Sequence, residues 1–205
     1  MAKVSYNYTR AKSLKRRQKE KKQMNIRRAS ENDIPRLIEL LEQVLQIHAD
    51  IRPDIFIPGT TKYTNEELSQ MIKDDTKPIY VAADENDNCL GYAFCQLREQ
   101  PFSNNMVPFT SLFIDDLCVD ASTRGQHIGE KLFVHVKEEA KRLGCYEVTL
   151  NVWAGNTSAE KFYEKMGLKT KEQQMEYILC QHLLCLLRIL HRKLQADARQ
   201  PHAPY

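Results

Sequence analysis

Residues 122–133, STRGQHIGEKLF, form a polar turn with two glycines that runs directly into an apolar, helix-spaced segment. The preceding run FIDDLCVD reads as a strand, which places the turn at a strand-to-helix junction. There the backbone N–H groups of Gln126, His127, Ile128, Gly129 and Glu130 are the unpaired donors of a helix N-terminus, and together with the positive end of the helix dipole they form an anion site. Gly125 and Gly129 let a bulky phosphate approach the backbone, and Arg124 could add a charge-assisted contact. Taken alone, the stretch fits a simple change of chain direction as well as it fits a phosphate cradle. Two nucleotide motifs are excluded, because neither GxxxxGK[ST] nor GxGxxG occurs.

The elements around this turn follow from periodicity. NIRRA (25–29) reads as a short strand, and Ser30 with Asp33 forms a capping box in which the acid replaces the usual Glu. Ile34, Leu37, Ile38, Leu41, Val44, Leu45 and His48 then follow at helical spacing. Thr64 and Glu67 make a second capping box that opens a short helix. Residues 78–100 are two β-rich runs joined by a polar turn at Glu85–Asn88, a hairpin signature. After the strand TSLFIDDLCVD, a helix with Ile128, Leu132, Val136 and Leu143 on one face closes at Gly144. YEVTLNVW is a further strand, SAEKFYEKMG a short helix, and LKTKEQQMEYIL a final strand or hairpin. The expected fold is α/β (α+β): a mixed, mostly antiparallel central sheet flanked by helices.

The stretch LNVWAGNTSAEKFYEKMGLK, set beside DLCVDASTRGQHIGEKLF, resembles the GNAT superfamily of N-acetyltransferases. That family's pyrophosphate loop reads [RQ]xxGx[GA], matched by Arg124 to Gly129. Its second signature is matched by Asn156, Ala159, Phe162, Tyr163, Gly167 and Leu168. The family's usual central glycine is His127 here. The resemblance spans about residues 24–179 and implies acetyl-CoA as co-substrate, no metal, and direct attack of an amine on the thioester. It also implies that pantetheine pairs with the backbone of the fourth strand at Leu117, Cys118 and Val119, where that strand splays from the fifth, and that Cys118 is a packed wall residue instead of a nucleophile. Tyr163 matches the residue that protonates the departing sulfur.

The base is less defined. Asp115 and Asp116 follow one another on a strand, so at most one faces the cleft, and Asp116 stands at the family-like position. Substrate choice is expected in QIHADIRPDIFIPGTTKY (46–63), where His48, Asp50, Arg52 and Asp54 cluster, with His48 read as a packing residue.

Charge and composition frame the whole. Of 205 residues with a net charge of +3, residues 1–28 carry 11 Lys and Arg against Glu20 alone, whereas residues 29–180 are acidic by 10 charges. An acidic core favours a cationic amine, whether small molecule or protein. Residues 1–23 are expected to be a disordered basic tail, with phosphate-backbone binding the less favoured reading. In residues 180–205 the spacing of Leu183, Leu187, Leu190 and Leu194 predicts an amphipathic helix that docks on the domain, pairs two subunits in a homodimer, or lies on a membrane surface. The six cysteines lack a CxxC pair and read as reduced, in a cytoplasmic protein, and no run is long enough to span a bilayer. Two other function classes stay open: a coenzyme-A-binding regulatory protein without turnover, and a nucleic-acid- or ribosome-associated protein.

Overall fold

The computed structural model describes residues 24–100 and 103–179. The expectations for the basic tail 1–23 and for the amphipathic helix within 180–205 lie outside the described residues.

Among those residues the elements run β1 (Asn25–Arg28), α1 (Ile34–Ile51), α2 (Asn65–Ile72), β2 (Ile79–Ala83), β3 (Cys89–Glu99), β4 (Thr110–Val119), α3 (Ile128–Arg142), β5 (Glu147–Leu150) and α4 (Thr157–Lys165), with 3-10 turns at Glu31–Asp33 and Ala121–Thr123. The five strands lie in one sheet in chain order. The first four are antiparallel neighbours, and β5 joins β4 in parallel. That parallel step requires a crossover, which α3 supplies. It also brings the chain out of β4 and β5 at the same end of the sheet, where α3 and α4 begin.

Both faces of the sheet are covered, as the alternation in β2 and β3 dictates. Ile79, Val81, Tyr92 and Phe94 pack under α1 and α2 with Leu37, Leu40, Leu41 and Leu68. Tyr80, Ala82, Ala93 and Cys95 pack under α3 with Ile128, Leu132, Phe133 and Val136, and α4 adds Phe162, Tyr163 and Met166 to that layer. Both capping boxes form. The Ser30 N–H donates to Asp33 Oδ2 at 2.7 Å, and the buried Asp33 also accepts from Arg27 at 2.8 Å. At α2 the Thr64 N–H donates to Glu67 Oε2 at 2.8 Å, and the Glu67 N–H returns a bond to Thr64 Oγ1 at 3.2 Å.

Two expectations fail. Leu143 is not on the buried face of α3. It caps the helix with its side chain exposed, because the chain reverses at Gly144 (φ +71°), and Ala140 is the last buried position. The final strand does not form. Residues 168–178 adopt no regular structure, with Met175, Tyr177 and Leu179 almost fully exposed. Local β-propensity in MEYIL supplies side chains that suit a sheet but no partner ladder, and β5 remains the sheet edge.

Candidate active site

Strands β4 and β5 pair only from Ser111 opposite Glu147 to Ile114 opposite Leu150. Beyond Ile114, β4 continues for five residues while β5 has ended, so a cleft opens through the sheet. At that point β4 bulges. Phe94 faces Asp116 and Cys95 faces Ile114, which leaves Asp115 as the extra residue. A bulge re-aims side chains, and the strict alternation expected of Asp115 and Asp116 is lost. Asp115 Oδ2 accepts from Lys62 Nζ at 2.7 Å and from the Tyr63 hydroxyl at 3.3 Å, while Asp116 Oδ2 accepts from the Tyr92 hydroxyl at 3.0 Å. Tyr63 and Tyr92 both contact Phe94, with ring centroids 5.8 and 4.9 Å away, so both carboxylates are on the α1–α2 side. Both also line the cleft, together with Leu117, Asn156, Ala159 and Tyr163. The expectation that only one acid could face it is therefore corrected.

Two titratable groups that line the cleft, Asp116 and Tyr163, have shifted pKa values. Burial pushes the Asp116 carboxyl up to about 6, against the opposing pull of the Tyr92 hydrogen bond and the Lys62 charge. A carboxylate near 6 is ionised at neutral pH yet basic enough to take a proton. Burial first, and the charge of Asp116 second, raise the Tyr163 phenol well above its usual value, which keeps its proton in place. Tyr163 is held by Phe162 and Phe133, at centroid distances of 5.0 and 6.3 Å.

The turn between β4 and α3 has the geometry of an anion cradle. Asp120 caps the 3-10 turn by accepting from the Ser122 N–H at 2.8 Å, and it pairs with Arg36 of α1. Gly125 (φ +80°) has open space around the position a Cβ would take. His127 occupies the left-handed region at φ +60°, ψ +20°, a conformation accessible to His at some cost. Its exposed ring points away along the helix, with Nδ1 3.0 Å from Glu130 Oε2, and Lys165 of α4 binds the same carboxylate. The first bond of α3 runs from the Lys131 N–H to His127 O at 3.1 Å, so the N–H groups of Ile128, Gly129 and Glu130 stand ahead of the helical ladder. Arg124 is exposed and donates to Val119 O at 3.4 Å.

The remaining candidates divide by role in the fold. Cys118 is buried on the α1 side, its thiol directed at Leu40 O (3.6 Å), so only its backbone is near the open edge of β4. Asn156 caps α4 by accepting from the Ala159 N–H at 3.2 Å. A Cβ added at Gly129 would lie 3.4 Å from Phe162 and 3.5 Å from Val119, so the two motif stretches pack against each other. His48 is half-buried in an aromatic stack with Phe56 (5.1 Å), which in turn meets Trp153 edge-on at 5.3 Å. Burial, with the nearby Lys62 charge, lowers the His48 pKa, as suits a packing residue. Arg52 ties Asp54 and Glu176 together, and Asp50 accepts from Gln46 on the exposed side of α1. Lys62 and Tyr63 end the segment 46–63 in which substrate choice is expected, although sequence reasoning did not single them out, and it missed Tyr92 and Trp153. The spacing of these residues carries no signal, because a loop tether and a bulge bring them together. Among the described residues no group of three or more His, Cys, Asp or Glu could hold a metal ion, and no helix is long and apolar enough to cross a membrane.

The acetyltransferase (GNAT) family model matches residues 41–168, more than half of the chain. The chain belongs to the GNAT acetyltransferase family. Its likeness to curated GNAT relatives extends to a glucosamine 6-phosphate N-acetyltransferase of Arabidopsis thaliana, 28% identical over 57% of this chain and 78% of the relative. A peptidyl-lysine N-acetyltransferase of Salmonella typhimurium, YjaB, is 27% identical over 71% of this chain and 83% of the relative. Among solved structures, a mutant of the BH1408 protein from Bacillus halodurans superposes with a TM-score of 0.73 at 27% identity, covering 76% of this chain and 99% of that one. This GNAT chain is thus an acyltransferase.

Proposed function

We propose that this enzyme transfers the acetyl group of acetyl-CoA directly to a primary amine of a small molecule or a protein, with Asp116 and Tyr163 as the proton-handling pair. The observation that carries the reading is that Asp116, a carboxyl raised to about 6, and Tyr163, a persistently protonated phenol, line one cleft. The residues fit the coenzyme on three counts. Open space above Gly125 and the forward N–H groups of α3 suit a pyrophosphate. Arg124 adds a positive charge at the same turn. Among the described residues the edge of β4 beyond Ile114 has no strand beside it, so the backbone of Leu117 to Val119 can pair with an extended amide chain. Acetyl-CoA supplies the activated acyl group as a thioester.

The chain's own groups manage the protons. Asp116 accepts, directly or through a water, the proton that the amine loses as its nitrogen bonds the acyl carbon. Tyr163 donates its proton to the sulfur as the C–S bond breaks, and regains one from solvent. No acyl-enzyme is required, in keeping with the buried Cys118 thiol, which burial pushes up to about 12. The relatives' acceptors, a sugar phosphate amine and a peptidyl lysine, support an amine as the acceptor class. The test is a thermal-shift titration with acetyl-CoA followed by thiol release with an amine panel. A rise in melting temperature and amine-dependent thiol release are expected. No shift and no release with any amine would overturn the assignment.

A further inference from the structure

The loop from α1 to α2 ends at Lys62 and Tyr63, and both reach back to the bulge of β4. Lys62 places a primary ammonium 2.7 Å from Asp115 Oδ2, in the same cleft as Asp116 and Tyr163. The ammonium also lies 5.2 Å from the centroid of the Tyr63 ring, whose hydroxyl donates to the same carboxylate oxygen at 3.3 Å. A carboxylate, an aromatic face and a neighbouring acid are what a cationic amine would seek in this cavity. The chain has filled that place with an amine of its own.

We propose that Lys62 occupies the acceptor's ammonium site, and that an incoming amine binds by exchanging with it at Asp115. The inference rests on the acetyltransferase reading above and deepens it. It names Asp115 as the group that recognises the acceptor, Asp116 as the group that deprotonates it, and Lys62 as an internal competitor that sets acceptor affinity. Three observations support the exchange. The side chains of Lys62 and Asp115 are 44% and 35% exposed, so their ion pair is of the weakly held kind that another ammonium can replace. Partial burial disfavours the Lys62 charge, but the hydrogen bond to Asp115 and the charges of Asp115 and Asp116 outweigh it, and the group stays cationic. Finally, the Tyr63 hydroxyl also donates to Asp115, so the loop stays tied to β4 when Lys62 departs.

The experiment compares wild type with Lys62→Gln, Lys62→Arg, Asp115→Asn and the Lys62→Gln/Asp115→Asn pair, using 1,4-diaminobutane, glucosamine and glucosamine 6-phosphate as probes. Steady-state kinetics give KM for each amine and for acetyl-CoA, and calorimetric titration of each amine into the coenzyme-A-saturated protein gives affinity independently of turnover. Lys62→Gln is expected to lower the KM and the dissociation constant of the amines about threefold to tenfold, with the acetyl-CoA KM unchanged. Lys62→Arg should stay within about twofold of wild type, since it keeps the charge. Asp115→Asn should raise amine KM and cancel the gain in the double variant. Unchanged or weaker amine binding in Lys62→Gln would overturn the proposal, and weakening confined to glucosamine 6-phosphate would make Lys62 a phosphate contact instead. Failure of the enzyme reading looks different: thiol release is then absent in wild type, while the calorimetric comparison still decides whether Lys62 and a free amine compete.

Discussion

The turn proposed to hold the coenzyme and the wall proposed to hold the acceptor are built in opposite ways. The coenzyme side is one continuous stretch: Asp120 caps a turn, Gly125 and His127 take left-handed conformations, and α3 starts within ten residues of the end of β4. Its chemistry is mostly backbone, held by the core under Ile128 and Leu132. The acceptor side draws Lys62 and Tyr63 from a loop, Tyr92 from β3, two acids from a bulge, and Trp153 from beyond β5. Its chemistry is side chains, held by hydrogen bonds and ring contacts. Backbone sites tolerate sequence change as long as φ and ψ survive. Side-chain sites change character with one substitution, which is how one scaffold can serve different amines.

The contrast breaks hardest at the proposed proton-handling pair, Asp116 and Tyr163. Asp116→Asn is expected to reduce kcat by about 10²–10⁴-fold with acetyl-CoA affinity kept. In the wild type the base form appears as pH rises through about 6, so turnover should climb across that interval, and the variant should lose this acid limb. The same substitution should stabilise the fold. A carboxyl whose folded pKa lies above its unfolded value is favourable to folding at low pH and loses that advantage as pH rises through about 6. At pH 8 the Asn variant should therefore melt higher, by a free energy on the order of 2 kcal/mol. Tyr163→Phe should lower kcat by about 10²-fold, again with coenzyme binding intact. Equal losses in affinity for either variant would show the residue to be structural.

How much could be read in advance follows the same division. The strand-to-helix turn proposed as the cradle was legible because Arg124, Gly125 and Gly129 are neighbours in sequence and the local rules for helix starts apply to them. The two capping boxes and the β2–β3 hairpin were legible for that reason too. Asp115 was misjudged because a bulge depends on the register of β3, which no local pattern in β4 discloses. Lys62 was passed over because its partner is 53 positions away. The final strand was expected from the side chains of MEYIL, but a strand exists only where a neighbour pairs with it, and these residues remain exposed with no ladder among the described residues.

Gly129 tests whether the two signature stretches form one unit. Ala there places a Cβ at ordinary contact distance from Phe162 and Val119, so Gly129→Ala should cost less than about 1 kcal/mol. Gly129→Leu must push Phe162 and with it the Tyr163 helix, at a cost of about 1–3 kcal/mol. Its thermal shift with acetyl-CoA should shrink as its basal melting temperature falls. If the Leu variant bound acetyl-CoA as well as the wild type, the contact between α3 and α4 would have no part in shaping the cradle.

The smallest effect is expected at His127, where the family signature carries glycine. The residue already holds φ +60°, so the backbone path that a glycine would allow is present without one. Its ring faces Glu130 and solvent, away from the open space over Gly125. His127→Gly would remove the modest cost of a left-handed non-glycine residue but add freedom to the unfolded chain, two effects of about 1 kcal/mol that oppose each other. Melting temperature should shift by only a few degrees, and the acetyl-CoA dissociation constant should stay within about threefold of wild type. A tenfold gain in affinity would instead mean that the His127 side chain obstructs the cradle. The backbone-built half of the cleft would then depend on a side chain after all, and the contrast with the acceptor side would narrow to a difference of degree.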